Sequence, residues 1–189
     1  MTRASGLGRF KLVLATLAAA LIVSCNTADA QVKPFKVTGA GIVDYVPLTP
    51  GVPVYHFAIG EATELGKYFG EGQVQLEFFT GPTTAAFSSA SPFVFAAANG
   101  DKLAFTYGDT DNGAQQPGQV ELTYAGDGKF VATWLAEFNP LIAECTGRFS
   151  SVIGGSFMML AVTEPFELGA TDPVYYEWQG EGWIEFKKK

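Results

Sequence analysis

The chain is poor in the residues on which most enzymes and metalloproteins rely. Its 189 residues include one histidine, His56, and two cysteines, Cys25 and Cys145. A single imidazole without clustered thiols does not assemble a zinc site, so no metal is expected. Gly-x-Ser-x-Gly, a P-loop and a dinucleotide fingerprint are all missing, so no cofactor is expected either. Positive charge is scarce as well, with 12 basic against 19 acidic residues and a formal net charge of −7. That balance excludes the basic face of a nucleic-acid binder. Only one long apolar run occurs, Leu12 to Val23, and its 12 residues are too few to cross about 30 Å of hydrocarbon. No window of ten or more residues carries a 3.6-residue period; one helical turn is expected between Phe138 and Phe149.

What is present begins with an address. Arg3, Arg9 and Lys11 precede the apolar run, and the three features together read as a bacterial export signal over residues 1–30, leaving a domain of 31–189. Two cleavage sites compete. Ile22-Val23-Ser24-Cys25 has the form of a lipobox, in which Cys25 would carry a lipid on its sulfur. Its position directly after the apolar run favours it. Ala28-Asp29-Ala30 has the small-x-small pattern of ordinary signal peptidase and would leave Gln31 first. Use of Cys25 makes residues 26 to about 34 a short tether to the membrane. The protein is therefore expected outside the cytoplasm, as a periplasmic or secreted protein or an envelope lipoprotein, with contact to membrane only through that lipid. Without its signal the chain carries 9 basic and 18 acidic groups, a net charge of −9, which favours solubility. Cys145 is then the sole cysteine, so no internal disulfide forms and stability rests on the hydrophobic core. Cys145 reads as a small buried hydrophobe.

The domain reads as strands. It holds 15 Phe against 9 Leu, a bias toward sheet. Val74, Leu76 and Phe78 alternate with polar neighbours, as do Leu103, Phe105 and Tyr107, and Val120, Leu122 and Tyr124. Phe130, Ala132, Trp134, Ala136 and Phe138 share one face of a longer strand. In the last strand Tyr176, Trp178, Ile184 and Phe186 oppose Glu177, Gln179, Glu181 and Glu185. Asn99-Gly100-Asp101 and Gly126-Asp127-Gly128 are hairpin turns. Strands are expected near 35–46, 54–61, 72–80, 92–98, 102–108, 118–125, 129–138 and 155–163, with 174–186 as a ninth or closing strand. Short connections imply an all-β, antiparallel up-and-down β-barrel of about eight strands, curled to remove its edges; a sandwich is the alternative.

Few side chains offer chemistry. His56 shares a strand face with Val54 and Ala58 and is a candidate base or ligand group inside a barrel, or else a structural histidine. Arg148 is a candidate anchor for an anionic ligand at the barrel mouth, or a clamp on loop carbonyls paired with a carboxylate such as Glu144. Trp134 and Phe105, with Phe93, Phe95, Phe130 and Phe138, are candidates to line an apolar cavity or to fill the core. An eight-stranded barrel is at the size where either outcome occurs. Asp109, Asp111 and Asn112 imitate the start of a calcium loop, but Ala114 and Val120 stand where it needs Gly and Glu. Glu61 and Glu64 read as surface carboxylates, and Lys187 to Lys189 as a solubilising tail.

Three stretches occur in the order seen in a group of exported bacterial barrels: Gly60-Glu-Ala-Thr-Glu-Leu-Gly-Lys-Tyr-Phe69, then Ala97-Ala98-Asn99-Gly100-Asp101, then Thr146-Gly147-Arg148-Phe149 with Gly154-Gly155. On them the chain resembles the allene oxide cyclase-like barrel proteins. The resemblance implies an eight-stranded antiparallel barrel similar in outline to lipocalins and dirigent proteins, and it carries over no catalytic residue. The leading expectation is a non-catalytic exported barrel that binds a small hydrophobic molecule or serves as an envelope accessory protein. A cyclase or isomerase that confines an apolar substrate is the second reading. A filled structural barrel presenting loops to a protein partner is the third. Oligomers are allowed by the resemblance. The address is tested by the mass of the protein expressed with its own leader. A diacylglyceryl-modified chain starting at Cys25 establishes the anchor, a chain starting at Gln31 a released protein, and an unprocessed leader overturns the export reading.

Overall fold

Alternating burial carries residues 30–188, the part of the chain that the computed structural model describes, into one antiparallel sheet. Its strands are β1 (Ala30–Val43), β2 (Val54–Ala62), β3 (Gly66–Phe79), β4 (Thr84–Ala97), β5 (Lys102–Tyr107), β6 (Gly118–Gly126), β7 (Lys129–Pro140), β8 (Val152–Thr163), β9 (Phe166–Glu167) and β10 (Val174–Lys187). Hydrogen bonding runs β3-β2-β1-β10-β8-β7, and β7 pairs with both β5 and β6. Both of those pair with β4, β5 through residues 93–96 and β6 through residues 84–87, and β4 returns to β3. The ring is closed. Because β5 and β6 pair with successive stretches of the same two neighbours, they act as one interrupted strand, and the ring has eight positions. The short β9 lies off this path and adds two rungs to the start of β7. Cys25 lies outside the described residues, with the rest of residues 1–29.

The expected strands are present, but several begin earlier than their patterns suggest. β1 opens at Ala30, and its pairing with β10 runs unbroken from Ala30↔Lys187 to Val43↔Val174. Residues 30–34 are therefore the first rungs of the sheet and not part of a tether. β3 and β4 begin at Gly66 and Thr84, against expectations near 72 and 92. Glycines hide the alternation in β3. Gly70 and Gly72 point inward with no side chain, and a methyl on Gly70 would strike the edge of the Phe93 ring. Glycine in a strand here allows close approach of an aromatic ring. The two expected hairpins form, with Gly100 at φ 86° and Asp127 at φ 52°. The helical turn expected before Phe149 appears as two 3₁₀ turns, Ile142–Glu144 and Gly147–Ser151.

Those turns plug one end of the barrel. Phe149 is buried there beside the half of the interior filled by Phe35, Phe95, Phe105 and Phe157. Phe105 meets Phe157 at 5.0 Å and Phe95 at 5.6 Å edge to face, and Phe35 at 5.9 Å with the rings tilted. Each buried Phe contributes about 1.5–3 kcal/mol through removal of apolar surface from water. The other end, where β1 passes to β2, is covered by residues 44–53. Val46 of this loop is buried, and Gly51 N–H donates to the Leu76 carbonyl at 2.8 Å. Truncation of one fully enclosed ring, Phe105→Ala, is expected to cost about 3–5 kcal/mol because the surrounding rings cannot collapse into the void. Urea denaturation measures it; a loss below about 1 kcal/mol would show a looser core.

Candidate functional site

Period-two alternation sets Val54, His56 and Ala58 of β2 inward and Tyr55, Phe57 and Ile59 outward. His56 stands opposite Val43 of β1 on one side and Gly72 of β3 on the other. Gly72 leaves space where a larger residue would meet Phe93, whose ring stacks on the imidazole at 4.9 Å. Two tyrosines from other strands reach His56. Tyr107, at the end of β5, brings its hydroxyl to 2.9 Å from Nε2. Tyr176, near the start of β10, brings its hydroxyl to 3.2 Å from Nδ1. Each hydroxyl also has a backbone carbonyl to receive its proton: Gln73 O for Tyr107 at 2.9 Å, and Phe57 O for Tyr176 at 3.1 Å. Tyr176 can lie so close to β1 because Gly41 has no side chain; a methyl there would overlap the phenol ring.

This polar cluster sits in apolar surroundings. It borders a cavity of about 60 Å³ whose other walls include Val43, Val74, Phe87, Trp134, Phe138, Met159 and Ala161. Trp134 meets Phe87 edge to face at 4.8 Å and separates the cavity from a smaller void of about 30 Å³ under the 44–53 loop. Burial sets the protonation of the cluster. Desolvation lowers the His56 pKa from 6.5 to about 4, so the imidazole is neutral at ordinary pH. Desolvation likewise pushes both phenols well above their ordinary value of 10. Charge repulsion from Tyr176 adds to the shift of Tyr107, and repulsion from Tyr68 to that of Tyr176. All three groups are therefore uncharged hydrogen-bonding groups. The arrangement can orient the polar end of an apolar molecule.

The residues singled out in the sequence separate into two places. His56 and Trp134 line the cavity. Phe105 packs in the filled half among Phe35, Phe95 and Phe157. Arg148 lies at the plugged end, where Nη2 donates to the Leu65 carbonyl at 3.2 Å and Nε faces Asp101 at 3.5 Å. It acts there as the carbonyl clamp, paired with Asp101 and not with Glu144. Cys145 is buried at that same end, its thiol directed to the carbonyls of Leu141 and Ala104, and burial raises its pKa. Glu64 pairs with Lys33 at 2.8 Å, and Glu181 with Lys36 at 2.9 Å, on the outer surface. Asp109 caps a 3₁₀ turn, Thr110–Asn112, by accepting from the Asp111 amide. Among the described residues no cluster of His, Cys, Asp or Glu is arranged to hold a metal.

Sequence reasoning does not single out Tyr107 and Tyr176 as site residues, although it sets both on alternating strand faces. They lie 51 and 120 positions from His56. The available signal is a polar-tipped aromatic on the face that His56 shares once the barrel closes. A larger groove of about 700 Å³ runs outside the barrel across β1, β2, β8 and β10, but it is an open apolar wall with no convergent polar cluster. Comparison with protein-family models, with curated proteins and with solved structures finds no match to this chain.

Neutral burial of His56 has a consequence for stability. Between pH 6.5 and about 4 the unfolded chain binds a proton at this residue and the folded chain does not. Stability from this residue is present above pH 6.5, falls as the pH is lowered, and levels off below about 4, a loss of roughly 3 kcal/mol in all. Because His56 is the sole histidine, one imidazole resonance reports its titration directly. A midpoint near pH 4 is expected; a midpoint near 6.5 would show an imidazole open to water.

Proposed function

We propose that this protein is an exported, non-catalytic barrel that holds a small apolar molecule, or the apolar end of a longer one, against the His56 cluster. The observation that carries the reading is a convergent set of uncharged polar groups, His56, Tyr107 and Tyr176, at a mostly apolar interior cavity that Thr163 and Trp178 also line. Small-molecule sites have this composition, with apolar walls for affinity and a few placed polar groups for orientation. Export rests on the charged start, apolar run and cleavage signals of residues 1–30. The resemblance to allene oxide cyclase-like barrels agrees with an interior site.

Size limits the ligand. About 60 Å³ is less than the roughly 150 Å³ of a cavity that takes a benzene ring. A ring-sized guest therefore needs a wall to move, and Met159 is the unbranched, adaptable residue in that wall. The test is thermal unfolding with a panel of benzene, phenol, indole and short-chain alcohols. A native-state ligand raises the transition in proportion to its occupancy. At least one compound is expected to give a saturable rise, and Ala161→Leu, which fills the cavity away from His56, is expected to abolish it. A panel without effect on the parent protein would overturn the reading and favour a filled barrel whose loops meet a partner.

A further inference from the structure

The outer wall of the barrel carries an apolar groove where β3, β2, β1, β10 and β8 run side by side. One row of outward side chains crosses these strands in register: Phe69, Ile59, Ala40, Glu177 and Val162. In the next row Phe57, Ile42 and Tyr175 lie between Glu71 and Glu164. Ala40, with a single methyl, sits at the centre of the first row, and the larger side chains around it leave about 700 Å³ of groove. Ile59 is 65% exposed, Tyr175 57% and Phe69 46%. Scattered apolar side chains are ordinary on a surface, but a contiguous patch of this kind marks a contact site.

The charges at this patch have one sign. Glu71 stands on its β3 side, and Glu164 and Glu177 toward β8, all three exposed. Glu164 and Glu177 are diagonal neighbours on adjoining strands, near enough for one cation to meet both. The ion pairs of the outer surface and the plugged end use Glu64, Glu181 and Asp101 and none of these three. No basic residue lines the groove. Lys67 is in register with Glu61, one outward row toward the plugged end. A second copy of this chain would bring the same carboxylates and a net charge of −9 to the face, and like charges disfavour that contact. An anionic lipid surface is disfavoured for the same reason.

We propose that this wall docks a basic amphipathic peptide segment of a partner protein. Its apolar face lies on Ile59, Ile42, Phe57 and Phe69, and its lysines or arginines reach Glu71, Glu164 and Glu177. Apolar contact with the floor supplies affinity, and the carboxylates select the sign of the partner's charge. Adjacent strands lie about 4.8 Å apart, so the five strands span about 19 Å, the length of a helix of about 13 residues. The groove lies outside the wall that encloses His56, and the proposal does not rest on interior binding.

The experiment titrates the protein into a fluorescent leucine–lysine peptide of about 14 residues with its leucines on one helical face, and reads anisotropy. A scrambled isomer and a version with glutamate for lysine are the comparisons. The amphipathic lysine peptide is expected to bind saturably, at least about tenfold tighter than either. Glu71→Gln, Glu164→Gln and Glu177→Gln combined are expected to weaken it about tenfold at low salt, a difference that vanishes near 1 M salt. Glu121→Gln, Asp111→Asn and Asp127→Asn remove the same net charge away from the wall and are expected to change binding less than about twofold. Ile59→Lys, at an exposed position, is expected to abolish binding with the unfolding midpoint unchanged. No binding of the lysine peptide, equal binding of a comparison peptide, or equal effects of the two triple variants would overturn the proposal. So would sedimentation of the protein alone as a dimer that Ile59→Lys dissociates, which would assign the wall to a second copy.

Discussion

The pairing of β1 with β10 is the contact on which the interior depends. It joins the first strand to the last along the full length of both, and it turns a sheet with two open edges into a ring without any. Closure satisfies the backbone groups of strands that are far apart in sequence and removes edges that would otherwise recruit other chains. It also fixes which faces look at one another. His56 on β2 and Tyr176 on β10 meet because β1 lies between them, and β1 has glycine at 41, where Tyr176 crosses toward the Phe57 carbonyl.

A ring of eight positions leaves little interior space, and the side chains divide it unevenly. At the plugged end large rings fill it: Phe35, Phe95, Phe105 and Phe157 interlock, and Phe149 closes the bottom. Toward the other end the strands carry smaller residues between the aromatics, with Ala161, Val43, Val74 and Gly72 around His56. There the packing stops short of filling, and a small cavity remains beside the polar cluster. The same steric economy explains the glycines that disguise β3. A strand can lie across a ring such as Phe93 only where it has no side chain of its own.

Burial without charge gives the cluster its character. An imidazole in water near its ordinary pKa would exchange protons with solvent and serve as a general base. Enclosed among Phe93, Trp134 and Phe138, it gives up that freedom and becomes a fixed donor and acceptor. Tyr107 and Tyr176 keep their protons for the same reason. The site therefore meets its surroundings through hydrogen bonds of neutral groups and not through charge.

Much of the fold is legible in the residues alone. Period-two patterns such as Phe130 to Phe138 and Tyr176 to Phe186 declare strands, and Asn99-Gly100 and Gly126-Asp127-Gly128 declare turns, because each is a local demand of backbone geometry. Alternation also divides β2 into its two faces. It does not say which face turns inward, since that depends on the curvature of the whole sheet. Strand starts are hidden wherever glycine or alanine replaces the alternating hydrophobe, as at Gly66 to Gly72 and Thr84 to Ala86. Phe105 and Trp134 look equivalent in sequence, two aromatics on alternating faces, and only their height along the barrel puts one in the filled half and the other at the cavity. The sequence by itself determined the strands, the turns and the residue types available for chemistry, all properties of near neighbours. Tertiary structure alone decided that His56 lies between Tyr107 and Tyr176, because partners so distant in the chain meet only when the ring closes.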